Sequence, residues 1–381
     1  MNLLPRSLSL FEIYSDESDV ESISKVLRRG KYWAEGPEIK IFEESIAKYV
    51  GAKYALVFNS GTSALHAALL AHCIKSGDEV IVPSFTFVST ANTIILTGAR
   101  PVFAEIEDSS YGLDSESVAE KITDRTKAII PVHYGGAPCK EIRAITELAS
   151  EKDIPVIEDA AEALGSRLGT QKVGSFGDSA MFSFCQNKVI TTGEGGAVVT
   201  NSEDVLKKMK LVRSHGRQEG EVSYFEASKP MNYVQLGYNY RMPTICAALG
   251  IAQLNKLEKL IELRRERALK LNLKLRKIPQ LKTPEAPDEA LHIYQMYTIR
   301  LSEPDTRDRL QEYLTSKKIM TKIYFPPIHL EPFYRKQFGY KNGELPITEG
   351  ISKRVLTLPM HPKLTNEDLD YIVKQIYSFF R

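Results

Sequence analysis

Three stretches of the chain carry residues whose types and spacing could do chemistry. In "FSFCQNKVITTGEGGAVVT" (182–200) Lys188 follows a short apolar run, and the segment from Ala180 to Gly193 carries no other charge. An amine placed there is partly desolvated and available as a nucleophile for a Schiff base, although Lys188 taken alone reads as an ordinary loop lysine. In "IPVIEDAAEALGS" (154–166) a buried-looking strand runs straight into Asp159. Open α/β sheets bind ligands at the carboxyl ends of their strands, but an acid at that place also serves simply as a helix cap. In "NSGTSALHAAL" (59–69) hydroxyls and glycine precede a helix-forming run, so backbone N–H groups and the helix dipole could receive a phosphate. Capping of that helix by Ser60 or Thr62 is the alternative.

The order of these features says more than any one of them. A possible phosphate cradle comes first, then an acid at a strand end, then Ser183 and an amine after another strand. A phosphate site, an acid and an amine are what pyridoxal 5'-phosphate (PLP) requires of its protein.

Other candidates carry less. "GEGGA" (193–197) lacks the G-x-G-x-x-G spacing and precedes a strand-like run, so its glycines are expected to let the backbone turn tightly beside a ligand or a neighbouring strand. His133 and His215 have no partner at a metal-ligand spacing, which leaves structural or substrate-lining roles. Cys185 has no base near it in sequence and is expected to pack rather than react.

These residues must be positioned by regular elements, and from about residue 53 short β-rich runs alternate with helix-period segments. That pattern predicts a mostly parallel sheet covered by helices. Strands are expected at "KYALVF" (53–58), "VIVPSFTF" (80–87), "ARPVFAEIE" (99–107), "KAIIPVHYGG" (127–136) and within 154–166. Ile142, Ile145, Leu148 and Ala149 define one face of a helix in "KEIRAITELASEKD". After about residue 200 the alternation fades. Residues 254–277 read as a long amphipathic helix with Leu257, Ile261, Arg264, Ala268, Leu271 and Leu275 on one face, bridging a large domain (1–250) and a smaller α+β domain (251–381).

Composition bounds the rest. With 381 residues, 43% hydrophobic and 26% charged, the chain suits one large domain plus a smaller one, or two mid-sized domains, and a formal net charge of +2 gives no argument for nucleic acid or a membrane surface. Cys73, Cys139, Cys185 and Cys246 are widely spaced, fitting reduced thiols in a cytoplasm, and neither a signal-peptide core nor a membrane-length apolar run is evident.

With these residues in view, the sequence resembles the DegT/DnrJ/EryC1/StrS group of PLP-dependent sugar aminotransferases. The match runs from "SISKVLRRGKYWAEGPEIKIFEESIAKYVGAKYALVFNSGTSAL" to "LTLPMHPKLTNEDLDYIV" and is strongest in "EDAAEALGS", "FSFCQNKVITTGEGG" and "LGYNYRMPTICAALGIAQL". The resemblance implies a fold-type-I aminotransferase acting as a homodimer with shared active sites. It implies Lys188 as the Schiff-base lysine and Asp159 as the acid that pairs with the pyridine nitrogen. It also implies Phe87 as the residue stacked on the ring, and Gly61, Thr62 and Ser183 as phosphate contacts. Asn239 would reach the phosphate from the other subunit, and Glu162, beside the ring hydroxyl, is similar to what perosamine synthase-type enzymes carry. The implied reaction moves an amino group from L-glutamate to a nucleotide-linked keto-sugar, an NDP-4-keto-6-deoxyhexose. A sugar dehydratase on the same scaffold is the rival reaction, one that the family runs with His in place of the lysine; a non-catalytic regulatory protein is the rival class. "CQ" before "NK" departs from the family pattern.

Overall fold

The computed structural model describes residues 7–218 and 231–381. Its strands, in chain order, are β1 (Tyr54–Phe58), β2 (Glu79–Pro83), β3 (Arg100–Ala104), β4 (Thr126–Ile129), β5 (Ile157–Asp159), β6 (Arg167–Leu168), β7 (Gln171–Lys172), β8 (Ser179–Ser183) and β9 (Gly196–Thr200). Four more follow: β10 (Leu281–Lys282), β11 (Ala290–Leu291), β12 (Tyr297–Leu301) and β13 (Val355–Leu358).

The central sheet is assembled from two ladders, β1-β9-β8-β5 and β3-β2-β4, joined by the parallel bridges Ile129↔Val156 and Val132↔Asp159. β9 runs antiparallel to both β1 and β8, while the β8/β5, β2/β4 and β2/β3 pairings are parallel. The expected mostly parallel sheet is therefore present, with β9 reversed. Alternate residues serve opposite faces: Leu56 and Phe58 pack with Leu65, Leu69 and Ile94, whereas Ala55 and Val57 pack with Phe42, Ile46 and Phe182. Burial on both faces is why β2 and β9 are buried along their whole length and show no polar alternation.

Several strands are shorter than expected, β3 among them, and for β2 and β4 the reason is local. β2 stops at Pro83, which lacks an N–H for the ladder, so Ser84–Val88 leaves the sheet and enters the helix Ser89–Leu96. β4 stops at Ile129, and the chain turns through Gly135 (φ 62) and Gly136 (φ 96), both in the left-handed region that favours glycine.

The bridging helix spans Leu257–Leu275, shorter than the expected 254–277, because Asn255 and Lys256 break it from the helix Thr244–Leu254. Lys256 at the break is held by Asp16 Oδ1 at 2.8 Å and Asp19 Oδ2 at 2.6 Å. The six residues expected on the inward face are all buried. Leu257 and Ile261 join the core around Phe42, while Ala268, Leu271 and Leu275 join a second core with Tyr297, Ile299, Leu310, Leu356 and Ile372 around the antiparallel β10-β12-β13 sheet. Arg264, buried between the two, donates to the carbonyls of Tyr294 (3.2 Å), Gln295 (3.3 Å) and Met360 (2.9 Å). Burial pushes its guanidinium down to about 10. No described helix is long and apolar enough to cross a membrane.

Candidate active site

At the carboxyl ends of β5 and β8 a cavity of about 430 Å³ opens, and it collects most of the predicted site residues: Gly61, Thr62, Phe87, Asp159, Glu162, Ser183 and Lys188. Each arrives by a different local device. Asp159 ends β5, where its N–H donates to Pro131 O at 2.9 Å and its carbonyl accepts from His133 N at 3.1 Å. Its carboxylate accepts from Thr90 Oγ1 (2.8 Å) and Ala161 N (3.1 Å). At 5% exposed, that carboxyl has its pKa raised by burial, against the lowering effects of those two donors and of Lys188.

Lys188 sits in a turn after β8 closed by Lys188 N→Cys185 O at 2.9 Å. Its Nζ lies 3.3 Å from Glu162 Oε1, and Glu162 Oε2 accepts from Gly135 N at 2.9 Å. The loop lysine of the sequence is thus a partly buried amine whose partner is the Glu carried over from the resemblance.

The N-terminus of the helix Gly61–Ala71 opens into the same cavity. Ser60 is its cap, accepting from Ser63 N, so the capping alternative describes Ser60 while Gly61 and Thr62 line the cavity. A Cβ at Gly61 would stand 3.0 Å from Ser183 Cβ and 3.2 Å from its Oγ, leaving no room for a larger residue between helix and strand. Phe87 is 59% exposed on the cavity wall, a large apolar ring with an open face. Asn239 does not line the cavity within one chain. It is exposed, and its carbonyl accepts from Asn59 Nδ2 at 3.2 Å.

The glycines of "GEGGA" behave as turn and close-contact residues. A Cβ at Gly196 would lie 2.5 Å from Ser60 O and 2.7 Å from Gly61 N, so β9 can pass the helix N-terminus only without a side chain. Gly196→Ala is expected to cost about 2 kcal/mol or more in a denaturant titration and to weaken cofactor retention, because the displaced backbone is the cavity wall.

Other residues fall outside the chemistry. His133 is fully buried: its Nδ1 accepts from Cys139 N and its Nε2 lies 2.9 Å from Glu158 Oε2. Glu158 also accepts from Gly174 N, Phe176 N and Gly177 N, so this pair ties loops together. His215 is exposed with φ 61, and no metal-holding cluster occurs among the described residues. The four cysteines are free. Cys185 corrects its expectation: with Gln186 it lines the cavity, its Sγ 3.4 Å from Glu194 Oε1. Burial and the Glu194 charge raise the thiol pKa, which keeps it protonated and unsuited as a nucleophile.

Sequence reasoning missed Thr86 and Thr90, Phe11, Lys322 and Tyr324, whereas Phe325 opens "FPPIHLEPFY", a loop read from the sequence as part of the pocket. The Thr86–Thr90 spacing at the start of a helix was a usable signal, and their hydroxyls are 3.0 Å apart. Nothing local marks Lys322 and Tyr324, which reach the cavity only through tertiary packing.

These residues fit PLP: a buried carboxylate with two donors, an amine, an open aromatic face and a helix N-terminus share one cavity. The comparisons with known proteins agree. Residues 14–377 match the DegT/DnrJ/EryC1/StrS aminotransferase family model. The chain is 37% identical over 347 residues to GDP-perosamine synthase from Escherichia coli O157:H7, covering 91% of each. Among solved structures it is similar to Helicobacter pylori PseC, an aminotransferase involved in pseudoaminic acid biosynthesis, with a TM-score of 0.91, 31% identity and coverage of 98% of this chain and 99% of that one. It is also similar to Spr1654 from Streptococcus pneumoniae in its PLP form, with a TM-score of 0.89, 25% identity and 96% of each chain covered. The chain belongs to the DegT/DnrJ/EryC1/StrS aminotransferase family and is a PLP-dependent sugar aminotransferase of fold type I.

Proposed function

We propose that this enzyme moves an amino group from L-glutamate to a nucleotide-linked keto-sugar, an NDP-4-keto-6-deoxyhexose, producing an amino sugar. The observation that carries this reading is the Lys188 amine, 3.3 Å from Glu162 Oε1 and in one cavity with Asp159 and Phe87. In this reading Lys188 would hold PLP through its amine, Asp159 would serve the pyridine nitrogen, Phe87 the ring face and Glu162 the ring hydroxyl. Gly61, Thr62 and Ser183 would receive the phosphate. PLP supplies an electron sink for the carbon attached to the transferred nitrogen. The free amine of Lys188 would carry the proton in the exchange, accepting and donating it, with Glu162 Oε1 at 3.3 Å holding that amine in place.

A homodimer completes the site. Support comes from exposed apolar residues gathered on one side: Trp33 is 50%, Tyr233 58% and Leu236 79% exposed. The 33–36 segment is tied to Arg217 and to Thr244 by Thr244 N→Trp33 O (2.9 Å) and Arg217–Glu35 (3.4 Å). Asn239 belongs to this same region, from which it would serve the other copy. Residues 1–250 and 251–381 are the large and small domains in this reading, in line with the two cores that share the bridging helix. The four free cysteines suit a cytoplasmic enzyme. A sugar dehydratase fits less well, because Lys188 is present where the resemblance gives those enzymes His.

The test is a panel of GDP-, UDP- and dTDP-linked keto-sugars incubated with L-glutamate and read by mass spectrometry. One nucleotide series is expected to gain an amino group. Purified protein lacking any PLP absorbance, or a panel without a single aminated sugar, would overturn the reading.

A further inference from the structure

We propose that Gln295 is a positioning residue for Lys188, acting from the C-terminal part of the chain. Its Nε2 donates to the carbonyl of Asn187, the residue directly before the lysine, at 2.6 Å. Since Lys188 N already closes a turn onto Cys185 O at 2.9 Å, this bond fixes the one peptide plane from which the lysine side chain departs. The neighbouring main chain holds the other end of the same amine. Met296 N donates to Gly135 O and Ile293 N to Gly136 O, both at 3.0 Å. Gly135 N in turn holds Glu162 Oε2 at 2.9 Å, and Glu162 Oε1 faces Lys188 Nζ at 3.3 Å. Residues 293–296 therefore fasten both the backbone of the lysine and the carboxylate that holds its nitrogen. Behind them the buried Arg264 grips the carbonyls of Tyr294 and Gln295, so the segment itself is anchored.

A packing role alone does not account for an amide here. Gln295 is 6% exposed, and its Oε1 is buried without a hydrogen-bond partner among the described residues. An apolar side chain of similar length would fill the space without that unpaired oxygen, so the amide's contribution is its single donor to Asn187. The Lys188 amine needs such control because misplacing a reacting group by about 1 Å costs on the order of 100-fold in rate.

Gln295→Met tests this. In cofactor-free protein, acylation of Lys188 followed by peptide mass spectrometry is expected to quicken at least about threefold relative to the exposed Lys40, since the amine is less tightly held. In the holoenzyme kcat is expected to fall about 10- to 100-fold with KM for the keto-sugar changed less than about threefold. Gln295→Leu also lacks the donor, so it is expected to give the same result and serves if the Met variant does not fold. Unchanged Lys188 labelling in a folded variant would overturn the proposal. So would labelling that quickens equally at buried lysines elsewhere, or a kcat loss no larger than the fraction unfolded. The labelling arm needs neither PLP nor a keto-sugar, so it stands apart from the proposed function, on which only the kinetic arm rests.

Discussion

Lys188→Ala is expected to reduce amino transfer by roughly four to six orders of magnitude in kcat, the range found when a covalent nucleophile is removed. The loss would combine the two roles proposed for this nitrogen, holding the cofactor and carrying the proton. The fold should survive, because the Lys188–Glu162 pair is only partly buried and Glu162 keeps its bond from Gly135 N at 2.9 Å. Breaking the pair should cost about 1 kcal/mol, visible as a small drop in Tm. Lys188→Arg separates charge from chemistry: it preserves a cation near Glu162 but cannot shed its proton, so its activity should be as low as that of the Ala variant. The direct check is borohydride reduction followed by peptide mass spectrometry. Wild-type protein should yield a cofactor adduct on the peptide containing Lys188, and neither variant should. An Ala variant that retains wild-type turnover would remove Lys188 from the mechanism.

Asp159→Asn is expected to lower kcat by roughly 10²- to 10⁴-fold, the scale of removing one preorganised charge at a site of electron flow. The substitution keeps the shape: Asn Oδ1 can still accept from Ala161 N, while Nδ2 would face Thr90 Oγ1, a hydroxyl able to accept as well as donate, so the loss reports chiefly the charge. A second consequence has the opposite sign. Burial raises the Asp159 pKa in the folded protein above the ordinary value of 3.8. The native state then holds this proton more tightly than the unfolded chain, and the stability it confers is complete below about 3.8 and is lost as pH rises through the native value. Above that native value the cofactor-free wild type bears the penalty of a buried carboxylate, and Asn removes it. Cofactor-free Asp159→Asn should melt higher than wild type at pH 8, with the gap closing toward acid. Bound PLP should reverse the comparison, since only the carboxylate can pair with a protonated pyridine nitrogen. Melting curves at several pH values, with and without PLP, read both effects.

The cavity gives these two residues different surroundings, and the difference suits the roles proposed for them. Asp159 is fixed by two donors at the end of a central strand, with no freedom to follow a moving substrate. Lys188 leaves a turn, with one carboxylate partner and an open cavity before it. A rigid acid and a movable amine suit a group that must stay in place and one that must let go and return.

Much of this arrangement was legible in the chain. The alternation of apolar runs with helix-period segments predicted a mostly parallel sheet, and the face drawn through Leu257, Ile261, Arg264, Ala268, Leu271 and Leu275 is the buried face of the bridging helix. Asp159 was placed at a strand end, where it lies. Errors gathered at ends. β2 was extended past Pro83 and β4 past Ile129, because the apolar character that marks a strand continues into "SFTF" and "PVHYGG" while the hydrogen-bond ladder does not. Lys188 alone gave no warning of Glu162, since the pair depends on two strand ends lying side by side in a parallel sheet.

By itself the sequence determined which segments become strands and helices and which residue types stand at their ends, because periodicity, glycine and proline act over a few residues. Motifs held within one segment, "EDAAE" and "FSFCQNK" among them, were readable for the same reason. Only the tertiary structure decided what meets in the cavity. Thr90 beneath Asp159, the Tyr324–Phe325 wall and Gln295 behind Asn187 are set by how the two faces of the sheet are buried and how the C-terminal part docks. Their partners are distant in sequence, and the free energy that joins them comes from burying apolar surface elsewhere, in cores around Phe42 and Tyr297 that never touch the chemistry.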